Sequence, residues 1–370
     1  MALGALPDYP WDLMAPYRQQ AAAHPGGLVD LSVGSPVDAT PEIVRAALAA
    51  ASDAHAYPQT IGTPALRDAI VEWFARRRGV TGLDEASVLP TIGSKELVAM
   101  LPFMLGLGAG DVVVHPRAAY PTYEMGALFA GARAFPSDDP SEWPGETRLI
   151  WLNTPGNPDG RVLDLDELRA AREQARAIGA VIVSDECYAE LGWDAPWDTE
   201  RVPSLLDPRV TDGDFDDTLV ISSLSKQSNM AGYRTAFIAG CRTSIARLTN
   251  VRKHAGLMLP APLQAAMVAA LRDDDHVEEQ RGRYRARRDV LRPAVEAAGF
   301  RIDRSEGGLY LWATEGRDAW ESIGRLAELG ILAGPGHFYG EYHPHHVRLS
   351  LTATDERIQA AASRLSGAGS

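Results

Sequence analysis

Five short apolar runs punctuate the middle of this 370-residue chain, at 111–115, 149–153, 180–185, 218–222 and 235–239. None alternates polar with apolar residues, as a strand with one wet face would. Both faces of each run are therefore expected to be buried, the situation of strands in a mostly parallel sheet covered by helices. The segments between them supply the helices. Thr63-Pro64 sets a capping hydroxyl before a proline at the first helical position, opening a helix over 65–78 that Gly79 stops. A second helix begins at Ser94 and a third covers 165–178. This alternation over 60–240 predicts a doubly wound α/β domain. After 275 the texture changes. Asp273-Asp274-Asp275 leads into a charged amphipathic helix at 276–298, then a strand near 308–313, a helix near 318–329, a strand near 346–351 and a last helix from Thr354. That order predicts a smaller α+β unit.

The 49 acidic residues outnumber the 36 basic ones, and the net charge of −13 argues against nucleic acid or an anionic membrane as partner. A small anionic substrate stays open, because a few arginines override the global field locally. Two cysteines, Cys187 and Cys241, both in apolar strand-like settings, point to a reduced cytoplasmic protein with inert thiols. Residues 1–8 lack a basic stretch leading into an apolar one, so no secretion signal is expected. No apolar stretch approaches the roughly 18–20 residues of a membrane span. The acidic stretch 207–217 lacks the glycine and final glutamate of a calcium loop and is expected to be a solvated loop.

The chemistry gathers near the ends of the apolar runs. Lys226 follows the run that ends in Ser222-Ser223, Arg234 lies eight residues on, and another run ends on Asp185 with Tyr188 close behind. Each alone has an ordinary reading: a solvated lysine at a strand end, or an acid capping a turn. Together they are what a pyridoxal phosphate site needs. The lysine amine bonds the aldehyde and can shuttle a proton, the acid keeps the ring nitrogen charged, and the arginine clamps the phosphate. Asn157, in a segment that otherwise reads as a turn, would share the ring oxygen with Tyr188. Gly93-Ser94-Lys95 opens a helix, whose backbone N–H groups with the Ser94 hydroxyl make a phosphate site, although capping alone would explain the pair. Ser223 and Arg234 would complete the cup.

These residues occur in an order that resembles class I/II aminotransferases. The matching phrases are Gly62 with Leu66-Arg67, Gly93-Ser94-Lys95-Glu96, Tyr120-Pro121-Thr122-Tyr123, Asn157-Pro158-Asp159-Gly160, Asp185-Glu186-Cys187-Tyr188, Ser223-Leu224-Ser225-Lys226 and Gly232-Tyr233-Arg234. The resemblance covers nearly the whole chain. It implies PLP fold type I: a large domain over 42–275 with a mostly parallel seven-stranded sheet, and a smaller α+β domain from 1–41 and 276–370. It further implies that Tyr120 stacks on the cofactor ring and that Gly34, Asn157 and Arg348 face the substrate, Arg348 holding its α-carboxylate. Tyr57 would reach the phosphate of a neighbouring subunit, so the active unit would be a homodimer. Asp159 stands where the family usually has threonine, and Tyr233 where tryptophan or leucine is common.

The phrases Pro10-Trp11-Asp12, Asp30-Leu31-Ser32-Val33-Gly34-Ser35-Pro36-Val37-Asp38, Arg252-Lys253-His254-Ala255-Gly256 and Leu351-Thr352-Ala353-Thr354-Asp355-Glu356-Arg357 are similar to actinobacterial-type N-succinyldiaminopimelate aminotransferases. That resemblance implies amino-group exchange with glutamate and 2-oxoglutarate in lysine and diaminopimelate biosynthesis. Aspartate, LL-diaminopimelate or aromatic substrates are the alternatives, as is a carbon–sulfur β-lyase on the same fold.

Other features carry weaker expectations. Arg252, Lys253 and His254 read equally as pocket lining or as a solvated helix end. His343, His345 and His346 lack a cysteine or acidic partner at ligand spacing, so no metal is expected. Gly334-Pro335-Gly336 has the wrong spacing for a dinucleotide loop and is expected to shape a turn toward the Arg348 strand. Trp11 and Tyr17 are expected to anchor the N-terminal arm, with packing over the site mouth as the alternative.

Overall fold

The computed structural model describes residues 10–368, so the expectation for residues 1–8 lies outside the described residues. Thirteen strands follow in chain order among them: β1 (Val29–Asp30), β2 (Val88–Ile92), β3 (Val112–His115), β4 (Arg133–Pro136), β5 (Thr147–Asn153), β6 (Val181–Asp185), β7 (Thr218–Ser223), β8 (Thr235–Gly240), β9 (Arg301–Ile302), β10 (Tyr310–Thr314), β11 (Ile331–Leu332), β12 (Gly334–Pro335) and β13 (His346–Ser350). Seven form one sheet in the order β2-β8-β7-β6-β5-β3-β4. Pairing from β7 to β4 is parallel throughout, and β8 runs antiparallel to both of its neighbours. The chain is an α/β protein with a mostly parallel seven-stranded sheet.

The strands do not alternate in sequence because each face of the sheet has its own core. Val112, Val114, Ile150, Ile182 and Val220 point into one, with Leu66, Ile70 and Trp73 from the Pro64–Trp73 helix and Leu168 and Ala175 from the Leu165–Ile178 helix. Val113, Leu149, Trp151, Val183, Leu219 and Ile221 point into the other, against Leu97 and Leu101 of the Ser94–Met104 helix and Ala127 of the Thr122–Ala130 helix. Each buried aliphatic side chain contributes roughly 1.5–3 kcal/mol. The strands that carry no clear apolar run, β2 and β4, are the two edges of the sheet. Pro90 is tolerated in β2 because an edge strand can lack a ladder N–H.

A four-stranded sheet, β12-β13-β10-β9, and the parallel pair β1–β11 lie in the remainder of the chain. Their core joins Met14, Val29 and Leu31 from the N-terminal region to Leu309, Leu349, Ile358 and Leu365.

Two expectations need correction. The helix expected over 65–78 is regular only over Pro64–Trp73 and widens into a π turn at Phe74–Arg78. There Arg76 pairs with Asp274, Arg77 with Glu190 and Glu278, and Arg78 with Glu186. The acidic stretch 207–217 is not all loop. Asp207 accepts from the Arg209 N–H at 2.8 Å and caps a one-turn helix, Pro208–Thr211, while Asp214 pairs with Arg176 at 2.8 Å. Among the described residues no helix is long and apolar enough to cross a membrane.

Candidate active site

In parallel sheets of this kind, ligands bind beyond the carboxyl ends of the strands. Here β6 ends on Asp185, and β7 ends on Ser223 and passes into the one-turn helix Leu224–Gln227 that carries Lys226. The Ser223 hydroxyl accepts the Ser225 N–H at 3.1 Å, which caps that turn, and it donates within the chain to the Ser225 hydroxyl or the Thr235 carbonyl. Lys226 Nζ donates to the Gly34 carbonyl. Burial holds the amine below the ordinary lysine range, with Arg348 and Arg234 adding to the effect and Tyr310 and Cys187 opposing it. The chain has three lysines, and the other two, Lys95 and Lys253, are exposed.

Asp185 is 6 % exposed. Its Oδ1 accepts from the Cys187 N–H at 3.2 Å and its Oδ2 from the Tyr123 hydroxyl at 3.0 Å. Burial pushes its carboxyl up against the pull of both bonds. A cationic partner such as a protonated ring nitrogen would reverse that penalty.

The Ser94–Met104 helix starts after Gly93, which has no side chain to cap it, so the first N–H groups face outward without a capping acceptor. Gly93 has φ +77°, and a Cβ there would collide with the Arg234 guanidinium. Only glycine fits. Arg234 is itself left-handed at φ 55° and donates to the Ala231 carbonyl at 2.9 Å. An uncapped helix N-terminus, the Ser94 hydroxyl and a guanidinium against Gly93 form a donor set that fits a phosphate.

Arg348 lies in β13 opposite Trp312 and is 4 % exposed. Nη1 donates to Asn157 Oδ1 at 2.8 Å and Nη2 to the Ser32 carbonyl at 2.7 Å. The rings of Tyr310 and Tyr339 lie 3.9 and 4.8 Å from Cζ. Nε is buried without a partner, and none of the ion pairs among the described residues involves Arg348. A buried guanidinium with no counter-charge is costly by several kcal/mol, and a bound carboxylate offsets that cost. Asn157 commits its carbonyl oxygen to Arg348, which leaves its amide nitrogen to donate.

Other residues of interest fall around this centre. Tyr188 is buried, its hydroxyl 3.2 Å from that of Tyr310. Tyr120 is half-buried, 5.9 Å edge-on from Tyr123, with Lys95 Nζ 6.0 Å from its ring. Tyr57 is 95 % exposed and stands apart from the cluster within this chain. Arg252 is neither pocket lining nor a solvated helix end. It is fully buried and binds both oxygens of Glu96 at 2.9 and 3.0 Å, while Lys253 and His254 are exposed. His346 bonds Asp303 at 2.9 Å and stacks on Trp312, and among the described residues no group of three or more His, Cys, Asp or Glu could hold a metal. Trp11 meets both alternatives weighed for it, edge-on to Phe338 at 4.9 Å and 5.9 Å from Arg348 Cζ, while Tyr17 stacks on Trp320. Gly334-Pro335 forms β12, paired directly with the Arg348 strand. A cavity of about 620 Å³ that includes Asn153, Asp159, Trp312 and His346 has none of Lys226, Asp185, Tyr188 or Arg348 in its lining.

Sequence reasoning gave no role to Tyr123, Tyr310 or Glu96. Tyr123 could have been found, being three residues beyond Tyr120 in the same phrase. Tyr310 and Glu96 act through contacts that no local pattern announces.

Comparison with known proteins agrees with this geometry. Residues 27–365 match the family model described as aminotransferase class I and II. The chain is 56 % identical to 4-dedimethylamino-4-oxo-anhydrotetracycline transaminase OxyQ of Streptomyces rimosus, over 97 % of this chain and 99 % of that protein. It is 53 % identical to the probable aminotransferase Rv1178 of Mycobacterium tuberculosis, over 98 % of this chain and 85 % of that protein. The crystal structure of an aminotransferase from Neisseria meningitidis superposes with a TM-score of 0.89 at 27 % identity, covering 98 % of this chain and 97 % of the other. The chain belongs to the class I and II aminotransferases, and it is a pyridoxal phosphate-dependent aminotransferase.

Proposed function

We propose that this enzyme exchanges an amino group between the pair N-succinyl-LL-2,6-diaminopimelate and N-succinyl-2-amino-6-ketopimelate and the pair glutamate and 2-oxoglutarate. Arg348 carries the reading of an amino-acid substrate: a buried guanidinium with no anionic partner, held near the Lys226 amine by Asn157 and two tyrosines. Its planar fork suits a carboxylate bound through two parallel bonds.

Pyridoxal phosphate supplies, when bound, an aldehyde for the substrate's amino group and a ring that takes up the electron pair released at Cα. The chain's own groups would do the rest. Lys226 Nζ, whose pKa burial lowers, would take the Cα proton and return it on the other side of the exchange. Asp185 holds the ring nitrogen, with Tyr123 fixing the carboxylate. Tyr188 and the Asn157 amide would hold the ring oxygen, and Tyr120 would pack on the ring. Gly93, Ser94, Lys95, Ser223 and Arg234 hold the phosphate, the lysine through its backbone N–H. Gly34 offers its backbone to the substrate. The partner subunit's Tyr57 would add a hydroxyl to the phosphate, which accounts for an exposed tyrosine and makes the working unit a homodimer. The units 42–275 and 1–41 with 276–370 would form the two walls of the cleft.

The succinylated substrate is supported by the sequence phrases shared with actinobacterial-type enzymes. A second reading follows from the 56 % identical relative, a 4-dedimethylamino-4-oxo-anhydrotetracycline transaminase. The deciding experiment compares glutamate-dependent turnover of N-succinyl-2-amino-6-ketopimelate, oxaloacetate, acetylornithine semialdehyde and a 4-oxo-anhydrotetracycline. A kcat/KM at least about tenfold higher for the succinylated ketone supports the proposal. Equal or better turnover of any other overturns it.

A further inference from the structure

Tyr310 opens β10 and is 4 % exposed. Its partner across the ladder is Ser350, so Arg348 is its diagonal neighbour on the same face of the sheet. Of the rings around the Arg348 guanidinium, that of Tyr310 is the nearest, at 3.9 Å against 4.8 Å for Tyr339 and 5.9 Å for Trp11. The Tyr310 hydroxyl lies 3.2 Å from that of Tyr188, with the two rings edge to face at 69°. It also rests on Gly34, where a Cβ would collide with it. The Gly34 carbonyl in turn accepts from Lys226 Nζ. A single phenol thus joins the carboxylate clamp, the ring-oxygen hydroxyl and the support of the lysine.

We propose that Tyr310 is a positioning residue for transamination, its ring setting the plane of Arg348 and its hydroxyl setting both the direction of the Tyr188 hydroxyl and, through Gly34, the seat of the Lys226 amine. The inference rests on the roles proposed above for Lys226, Tyr188 and Arg348. The charges around the phenol agree with it. Burial would push Tyr310 up, but the positive charges of Arg348 and Lys226 and the bond with Tyr188 bring it below its ordinary value. Burial drives Tyr188 well above its own, with Tyr310 adding to the rise. Either hydroxyl can donate across this contact, and Tyr310 donating leaves the single Tyr188 proton for the ring oxygen. Burial dominates the lowering of Lys226, Tyr310 and Cys187 hold the amine up, and Arg348 and Arg234 lower it further. Tyr284, whose hydroxyl donates to the Lys226 carbonyl at 3.4 Å, completes the groups that face this turn.

Tyr310→Phe keeps the ring and removes the hydroxyl, and Tyr310→Leu removes both. In the cofactor-free enzyme, acylation of Lys226 followed by peptide mass spectrometry reports the amine's basicity without turnover. Calorimetric binding of glutarate, a non-reacting dicarboxylate, to the cofactor-loaded enzyme reports the clamp. For the Phe variant the labelling midpoint moves to lower pH, kcat falls about tenfold, and glutarate binds within about twofold of wild type. For the Leu variant glutarate affinity falls about tenfold. A Phe variant with wild-type midpoint and kcat overturns the proposal, as does a Leu variant with wild-type glutarate affinity. Circular dichroism checks that both variants fold, the Phe variant being the conservative one. Lys226→Ala and Arg348→Lys separate the two levels of the argument. If Lys226→Ala retains turnover, the underlying reading and this proposal fall together. If both controls lose function while the Tyr310 variants do not change, Tyr310 alone is refuted.

Discussion

Arg348 Nη1 donates to Asn157 Oδ1 at 2.8 Å, tying β13 to the turn after β5 across 191 residues of chain. The bond fixes one arm of a guanidinium that has no acidic partner among the described residues. Arg348→Lys keeps the charge and loses the planar fork. It is expected to raise KM for glutamate about 100-fold, with a smaller effect on kcat. Asn157→Ala should raise KM about tenfold and loosen the cofactor as well. Steady-state kinetics and a cofactor titration of each variant check both.

Glu96 and Arg252 bind the Ser94–Met104 helix to the Arg242–Ala255 helix through a buried ion pair. Glu96→Gln leaves the Arg252 guanidinium buried without its counter-charge, at a cost of about 2–4 kcal/mol. Glu96 lies in the first turn of the helix proposed to hold the phosphate, so cofactor retention should weaken along with stability. Thermal melting and the rate of cofactor loss on dilution measure the two effects.

The carboxyl of Asp159 is buried although the residue as a whole is partly exposed. Burial lifts its pKa from 3.8 to about 6 against the pull of the Arg161 N–H. The folded form thus binds a proton more tightly than the unfolded one. The destabilisation sets in as pH rises past about 4 and is complete above about 6. Asp159→Asn should therefore be more stable than wild type by about 1–3 kcal/mol at pH 8 and no more stable at pH 4. Urea unfolding at the two pH values tests the sign.

Tyr57 is 95 % exposed within one chain, which leaves it accessible to the second copy of the proposed homodimer. Light scattering should give twice the mass of the chain. Tyr57→Phe should leave that mass unchanged and speed cofactor loss several-fold.

Much of the fold was legible because its local chemistry agrees with its tertiary setting. The Leu165–Ile178 helix is bounded by a capping box at Asp164 and Glu167 and by left-handed Gly179, so both ends are written in the chain. The doubly buried strands of the large sheet could be read from their continuous apolar runs. Edge strand β4, with Arg133 exposed and Phe135 half-buried, could not, because half its surroundings are solvent. In the site, Lys226, Asp185 and Arg234 stand out because strand ends bring charge next to apolar runs. Tyr310 and the Glu96–Arg252 pair do not. Their meaning lies in neighbours 122 and 156 residues away, Tyr188 and the opposite member of the ion pair.

The most direct test of the central claim uses the scarcity of lysine, since only Lys95, Lys226 and Lys253 occur in the chain. Borohydride reduction of the enzyme loaded with pyridoxal phosphate, followed by peptide mapping, should leave the cofactor's mass on Lys226 alone, with Lys226→Ala losing both the label and glutamate-dependent turnover. A label on Lys95 or Lys253, or full turnover by the Lys226→Ala variant, would contradict the account.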